Sequence, residues 1–228
     1  MKEYGIYHEV RWRQYWERVR NVALALLELG VRRSDRVAIM GDPCPAWGYG
    51  DLGAQAIGAI TYGLYATSAP SQVRYVLQDG GASVVIAEDQ EHVDKILAVA
   101  DDVPTLQTIV VVDDRGMFAY RDRRLRAFAD VEALGRARAK REPDRFDLEI
   151  DDGDPGDVAF LVYTSGTSGP PKPAMLRHEN CLTALVGSFG EIFPALLHEE
   201  HRTVSFLSMA HILERALTLY LPLAYDVI

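Results

Sequence analysis

Short apolar runs recur along the chain and restrict the folds that it can adopt. They lie at residues 36–40, 83–87, 108–112 and 158–162, and glycines or acidic residues bound them. Valine and isoleucine on consecutive positions, rather than on alternate ones, are typical of strands that are buried on both faces. The sequence therefore predicts an α/β fold, with a mostly parallel sheet covered by helices.

Helical segments are predicted between these runs. Over residues 12–29, apolar residues recur at spacings of three and four, which predicts an amphipathic helix that Gly30 ends. Residues 116–157 are the least regular stretch, with one helix expected near 130–140. The other elements expected are helices at about 46–59, 72–78 and about 91–100, and a buried strand at 60–65.

Residues 163–172 read Tyr-Thr-Ser-Gly-Thr-Ser-Gly-Pro-Pro-Lys and follow the last apolar run. Glycines let backbone N–H groups come close to a phosphate, and consecutive N–H groups in such a turn form a concave anion site. The hydroxyl side chains add donors, and Lys172 adds a full positive charge. These parts predict a polyphosphate ligand, and the alternative is a flexible polar connector.

The spacing of this loop fits the Walker nucleotide loop poorly. That pattern needs a second glycine and a Mg²⁺-binding hydroxyl at fixed distances from the first glycine. Counted from Gly166, these two positions hold Pro171 and Pro173. A kinase or GTPase built on the Walker loop is therefore not expected.

The stretch 163–173 resembles the phosphate-binding signature of the adenylate-forming enzymes, which include acyl-CoA synthetases, luciferases and peptide-synthetase adenylation domains. Their signature reads Tyr-Thr-Ser-Gly-Thr-Thr-Gly-x-Pro-Lys-Gly. Here Ser168 replaces a threonine and keeps the hydroxyl, whereas Pro173 replaces a glycine, fixes φ and removes an N–H. Two consequences of Pro173 stay open, a stiffer end of the loop and weaker phosphate binding.

Further segments are similar to the long-chain fatty acid–CoA ligase branch of that superfamily. Ser208 stands where the branch has a proline, and the resemblance extends from about Lys2 to Ile228. It implies the front part of the large N-terminal domain of an adenylate-forming enzyme. Residues 1–228 are thus expected to be a partial AMP-binding domain, without the small C-terminal domain. The similar segments are 41–47, 58–60, 63–67, 175–180 and 205–215.

The resemblance implies a ligation in two steps. A long-chain fatty acid carboxylate attacks ATP, giving an acyl-adenylate and pyrophosphate, and the thiol of CoA then displaces AMP. The implied catalytic residues are Lys172, which lends charge as pyrophosphate leaves, and His211, beside the acyl carboxylate and the α-phosphate. ATP, Mg²⁺ and CoA are the implied cofactors, with the Mg²⁺ ligand expected outside this chain. The residues expected to bind the phosphates are Thr164, Ser165, Gly166, Thr167, Ser168, Gly169 and Lys172.

Some residues near these motifs have a structural interpretation. For His211 the alternative is a core histidine bonded to the backbone. Glu214 and Arg215 are expected to pair locally, and His178 to begin a helix. The aromatic residues expected to pack or to anchor the loop are Trp47, Tyr65 and Tyr163.

Composition and charge argue against some classes of binding partner. The net charge of −9 argues against broad binding to nucleic acid or to anionic membranes. The basic stretch 121–141 is expected to be a solvated helical arm, with contact to anionic lipid or to CoA phosphates as the alternative. The uncharged stretch 52–73 contains too many Thr, Ser and Gln residues for a membrane span. Two cysteines far apart, with no metal spacing and no secretory signal, favour the cytoplasm, and peripheral membrane contact stays open.

Three hypotheses follow for function. The first is the phosphate-loop half of a long-chain fatty acid–CoA ligase, inactive or nearly so alone and completed by a missing C-terminal half. The second is a non-catalytic nucleotide-binding module, and the third is an interaction protein with a vestigial loop. Pro173, Ser208 and Asp226 would suit a non-catalytic relative. Acyl chain length and oligomeric state are not assigned.

Overall fold

The computed structural model describes residues 2–3, 6–164, 169–187, 191–192 and 202–224. The strands in this part of the chain are β1 (Lys2–Glu3), β2 (Ile6–Tyr7), β3 (Arg36–Met40), β4 (Ile60–Leu64), β5 (Ala82–Ala87), β6 (Thr108–Val111), β7 (Leu125–Ala127), β8 (Val158–Thr164) and β9 (Lys172–Arg177). The longer helices are α1 (Trp12–Glu28), α2 (Pro45–Gln55), α3 (Pro70–Gly80), α4 (Gln90–Leu97), α5 (Phe128–Arg141) and α6 (Arg145–Asp151).

Shorter helical segments follow β9, and the last of them ends the part of the chain that the structure describes. A turn of helix, α7 (His178–Asn180), continues as a π-helical segment, Cys181–Gly187. After residue 202, α8 (Ile212–Glu214) continues as a second π-helical segment, Arg215–Tyr220, and as α9 (Leu221–Ala224). His178 therefore begins a helix, as predicted from the sequence.

Seven of the strands form one sheet, in the order β7-β6-β5-β3-β4-β8-β9. All neighbours are parallel except β8 and β9, which are antiparallel. The remaining two strands, β1 and β2, form a small antiparallel pair. The prediction of a mostly parallel α/β sheet is confirmed.

Successive residues of the central strands pack into two different cores. Val37 and Ile39 contact the core beneath α1, α2 and α5, whereas Ala38 and Met40 contact the core beneath α3 and α4. All four side chains are buried. Because both faces of β3 are covered from Val37 to Met40, these four positions are left only for apolar residues, which explains the continuous apolar run.

The predicted helix boundaries lie within about two residues of the observed ones, except at the end of α2 and at the end of α4, which was expected near residue 100 and is at Leu97. Gly30, with φ of 90°, ends α1 in the left-handed region, as predicted. The helix expected at about 46–59 ends four residues earlier, at Gln55. A turn that contains Gly58, with φ of 70°, then leads into β4. The stretch 52–73 is shared among α2, β4 and α3, and none of the described helices has the length and apolar character to cross a membrane.

The stretch 116–157 is more regular than predicted, since it contains β7, α5 and α6. The expected solvated arm is wrong, because α5 packs against α1 through the buried Phe128 and Val131. The helices are so close that a Cβ on Gly135 would lie 1.7 Å from the carbonyl oxygen of Asn21. The basic side chains of this stretch that form ion pairs are Arg124 with Asp101 and Asp122, Arg138 with Glu28 and Glu142, Arg141 with Glu28, and Arg145 with Glu149.

Candidate functional site

A cavity of about 730 Å³ opens at the carboxyl ends of β4 and β8, two neighbouring parallel strands. In open α/β sheets, ligands bind in crevices outside the carboxyl ends of the strands. Much of the lining is apolar or aromatic, with a few polar groups at hand, which is the usual make-up of a small-molecule site. The residues that line it include Tyr65, Tyr75, Tyr163, Thr164, Pro171 and His211.

The Gly/Ser/Thr-rich loop connects β8 to β9 at this cavity. Thr164 and Lys172 face each other where the two strands separate, and the Thr164 hydroxyl donates to the Lys172 carbonyl oxygen at 3.4 Å. Gly169 has a φ of 98°, a conformation that favours glycine. The predicted phosphate-binding residues that lie outside the described residues are Ser165, Gly166, Thr167 and Ser168.

Lys172 is exposed at the base of this loop. No ion pair joins its ammonium group to an acidic side chain in the described part of the chain. Pro173 follows it in β9, the last strand of the sheet order, and is also exposed. Proline is tolerated at a sheet edge, because a missing N–H there removes no ladder hydrogen bond to a further strand.

Tyr163 fixes the strand that leads into the loop. Its hydroxyl donates to Asp79 Oδ2 at 2.9 Å, and its ring centroid lies 5.7 Å from that of Tyr62. Burial, together with the hydrogen bond to Asp79, raises the pKa of Tyr163 far above its usual value. The hydroxyl therefore stays protonated and remains a donor across the physiological pH range.

A tight turn carries His211 to the other side of the cavity. The Ser208 hydroxyl accepts from the Ala210 N–H at 3.3 Å, and the Ser208 carbonyl accepts from the His211 N–H at 2.9 Å. Serine thus supports by hydrogen bonding a turn at the position where the resemblance expects proline. The turn also depends on Gly63, because a Cβ there would lie 2.5 Å from the Ala210 Cα.

His211 is exposed, and its side chain is not part of the core. Its Nδ1 accepts from the Leu213 N–H at 3.2 Å, which caps α8. In the neutral imidazole the proton must then be on Nε2, since one ring nitrogen accepts and the other donates. His211 and Thr164 both line the cavity, so two polar donors are available to a ligand there.

Arg215 has a role that the sequence did not indicate. Local pairing with Glu214 was expected, but Arg215 forms an ion pair with Asp51 of α2, 164 residues away. Both side chains are fully buried. The Glu214 carboxylate instead accepts a hydrogen bond from the Ser205 hydroxyl, and the two oxygens are 2.7 Å apart.

The Asp51–Arg215 pair belongs to a buried polar network, in which Arg215 Nη1 alone of the guanidinium nitrogens has no hydrogen-bond partner among the described residues. Asp51 accepts from the hydroxyls of Thr61 and Tyr220, the latter at 3.0 Å. The Arg215 guanidinium lies 4.0 Å from the centroid of the Phe160 ring. Burial disfavours its charge, but Asp51 more than offsets this, so the pKa of Arg215 is above its usual value. The signal in the sequence was Asp51, the one charged residue of α2.

Trp47 and Tyr65, both assigned to packing from the sequence, differ in their burial. Trp47 is buried, as predicted, and lies 5.0 Å beneath the Arg215 guanidinium. Tyr65 does not belong to the core, because 39% of it is exposed and it lines the cavity. It follows β4 directly, and the end of a strand is where a side chain turns toward a crevice rather than toward a helix layer.

The described residues contain no group of three or more His, Cys, Asp or Glu side chains that could hold a metal ion. Mg²⁺ in nucleotide sites usually keeps several waters and binds through one or two carboxylates plus phosphate oxygens. No Asp or Glu is among the described residues that line the cavity, so this lining supplies no carboxylate for Mg²⁺.

A family model described as AMP-binding enzyme matches residues 3–225. The chain belongs to this family. It is 34% identical over 211 residues to the long-chain-fatty-acid–CoA ligase ACSBG1 of Rattus norvegicus, covering 90% of this chain and 28% of the relative. It is also 34% identical over 218 residues to the long-chain-fatty-acid–CoA ligase FadD15 of Mycobacterium bovis, covering 94% and 34%. The chain thus spans about a third of the length of these curated relatives.

Solved structures share the fold. A protein assigned as a long-chain-fatty-acid CoA ligase from Rhodopseudomonas palustris matches with a TM-score of 0.77 at 21% identity, over 98% of this chain and 50% of that one. The anthranilate CoA ligase AuaEII, in complex with anthranoyl-AMP, matches with a TM-score of 0.78 at 25% identity, over 96% and 39%. The sheet described above is therefore that of adenylate-forming CoA ligases.

Proposed function

We propose that this chain carries the phosphate-binding side of a site that uses ATP to activate a long-chain fatty acid, as acyl-adenylate and then as acyl-CoA. The observation that carries the proposal is the β8–β9 hairpin. Thr164 and the exposed Lys172 face each other at the base of the Gly/Ser/Thr-rich loop, beside the cavity that His211 lines. Residues 1–228 would then be part of the large adenylating domain.

The first step of such a reaction concentrates negative charge. A carboxylate oxygen attacks the α-phosphorus of ATP, the bond to the bridging oxygen breaks, and pyrophosphate leaves with the electron pair. Preorganised donors aimed at the developing charge contribute most in this kind of step. Because the chain as a whole has a net charge of −9, local cations and N–H groups must offset the repulsion of a polyanion.

Lys172 is suited to the departing pyrophosphate. Its ammonium group is exposed and forms no ion pair within the described residues, so binding a phosphate breaks no existing pair. Thr164, opposite Lys172, adds a hydroxyl on the same side of the cavity. Under the proposal, Ser165, Gly166, Thr167, Ser168 and Gly169 complete the cradle.

His211 is suited to the other reactant. With Nδ1 occupied by the Leu213 N–H, the neutral ring offers its Nε2–H to an oxygen in the cavity. A carboxylate or an α-phosphate oxygen is the acceptor that such a donor fits. The proposed role is to orient the attacking carboxylate rather than to transfer a proton, because a carboxylate nucleophile carries none at neutral pH.

The names of the relatives support the choice of acid. Both curated relatives described above are long-chain-fatty-acid–CoA ligases at 34% identity, whereas the structure bound to anthranoyl-AMP is 25% identical. We therefore place a long-chain acid ahead of an aromatic acid as the substrate. CoA enters as the co-substrate whose thiol displaces AMP in the second step.

The test is ATP–pyrophosphate exchange by this chain with palmitate or anthranilate, comparing the wild type with Lys172→Ala. We expect a low rate that palmitate stimulates and that Lys172→Ala reduces by about 100-fold. Stimulation by anthranilate but not by palmitate would contradict the substrate class. ATP binding without any exchange would agree both with a partial domain that is inactive alone and with a non-catalytic nucleotide-binding module, whereas a folded chain that binds no ATP would contradict the phosphate site.

A further inference from the structure

Helix α3 contacts the phosphate loop at both of its ends. At the β8 end, the Tyr163 hydroxyl donates to Asp79 Oδ2 at 2.9 Å. At the β9 end, the Tyr75 hydroxyl donates to the carbonyl oxygen of Pro171 at 3.0 Å. Tyr75 and Asp79 are four residues apart in α3, so they lie on the same face, one turn from each other.

The opposite face of α3 fixes the helix to the sheet. Val73 and Leu77 are completely buried in the core beneath α3 and α4. Near the end of the helix, a Cβ on Gly80 would lie 2.5 Å from the Tyr62 ring, so the backbone of α3 rests directly on β4. A helix held this closely is a rigid base for whatever its other face binds.

The two contacts with the loop are not part of that core. Tyr75 is half-buried and lines the cavity, and Asp79 is exposed. Removing the Tyr75 hydroxyl or the Asp79 carboxylate therefore leaves the packing of Val73 and Leu77 unchanged. What the two groups hold is the loop.

The contact at Pro171 also has a directional effect. A peptide unit is planar and trans, so its C=O and the next N–H point in opposite directions. Because Tyr75 holds the Pro171 carbonyl toward α3, the Lys172 N–H is turned away from α3. A carbonyl oxygen directed at a bound phosphate would repel it, and this contact occupies the carbonyl that immediately precedes Lys172.

We propose that Tyr75 and Asp79 are positioning residues for the phosphate loop: from one face of α3 they hold its two ends in place. The inference rests on the proposed function only for the identity of the ligand. Neither residue needs to touch the ligand for the proposal to hold, since each acts through Pro171 or Tyr163.

The experiment uses this chain with Tyr75→Phe, Asp79→Ala and Asp79→Asn. The matched control is Tyr49→Phe, which removes a buried hydroxyl that has no hydrogen-bond partner among the described residues. Amide hydrogen exchange is measured in the peptide that spans residues 164–172 and in β3 to β5, without ligand. The dissociation constant for ATP is then measured by calorimetry.

We expect Tyr75→Phe and Asp79→Ala to increase exchange in 164–172 with no change in β3 to β5, and to weaken ATP binding about fivefold, the usual worth of one hydrogen bond. Asp79→Asn keeps an acceptor for Tyr163 and should restore both readouts, and Tyr49→Phe should change neither. Unchanged exchange in 164–172 would overturn the positioning role. Faster exchange in a chain that binds no ATP would uphold that role and refute the proposed function instead.

Discussion

Arg215 and Lys172 are two cations that each follow a residue of the cavity lining, Ile212 and Pro171 respectively, and they have opposite surroundings. Arg215 is completely buried, bonded to Asp51 and covered by the rings of Trp47 and Phe160. Lys172 is exposed at the end of the hairpin, with no ion pair among the described residues. The sequence shows both simply as basic residues within family-like motifs.

The difference shows which cation a ligand can use. A buried guanidinium that left its carboxylate would leave an uncompensated buried charge, which costs several kcal/mol. Arg215 is therefore committed to holding the segment after His211 against α2. An exposed ammonium group exchanges only water for a phosphate, which is why the proposed function gives the phosphate to Lys172 rather than to Arg215.

The largest expected effect comes from breaking the buried pair. Asp51→Ala leaves the Arg215 charge buried without a partner and should lower the free energy of unfolding by about 3–5 kcal/mol. Denaturant unfolding measures this directly. The matched variant Asp51→Ala/Arg215→Met removes both charges and should recover much of the loss. A loss below about 1 kcal/mol for Asp51→Ala would refute the role of the pair.

A half-buried pair between α1 and α5 should give an intermediate effect. Arg18 donates to both oxygens of Glu132, whose side chain is 9% exposed against 40% for Arg18. Glu132→Gln should cost about 1–2 kcal/mol, the range for hydrogen bonds to charged groups reduced for exposure. The control is Glu17→Gln on the exposed face of α1. Equal unfolding midpoints for the two variants would contradict the ranking by burial.

The surface ion pairs of the basic stretch should contribute least. Arg141 contacts Glu28 at 2.9 Å, and the two side chains are 55% and 37% exposed. Arg141→Ala should change the free energy of unfolding by about 0.5 kcal/mol or less, because water and salt screen such pairs. A change that persists in 1 M salt and exceeds that value would show that exposure is not what sets the ranking.

The sequence predicted those elements whose burial leaves a clear apolar pattern, either a continuous run in a strand or a period of three to four in a helix. The strands β3, β5, β6 and β8 were predicted because two helix layers leave them only apolar positions. In contrast, β7 is short, carries Arg126 and has no fully buried position, so no periodic pattern marks it. The strand β9 is exposed along nearly its whole length and contains Pro173, so no apolar run marks it as a strand.

Within the candidate site, features built from neighbouring residues were predicted, whereas contacts between residues far apart in the sequence were not. The loop around Lys172 was predicted because its chemistry lies in ten consecutive residues. The partner of Arg215 was missed because Asp51 is 164 residues away, and only the fold brings the two together. The contact of Tyr75 with the loop was missed for the same reason, since Pro171 is 96 residues away along the chain.

The measurement that tests the central claim most directly is ATP binding by Lys172→Ala, with ligand-free stability measured on the same preparation. The control is Lys140→Ala, which removes the same charge from the exposed side of α5. We predict that both variants unfold within about 0.5 kcal/mol of the wild type, as expected for surface substitutions, and that only Lys172→Ala loses ATP binding. Wild-type ATP affinity in Lys172→Ala, or a stability loss like that of Asp51→Ala, would contradict the account.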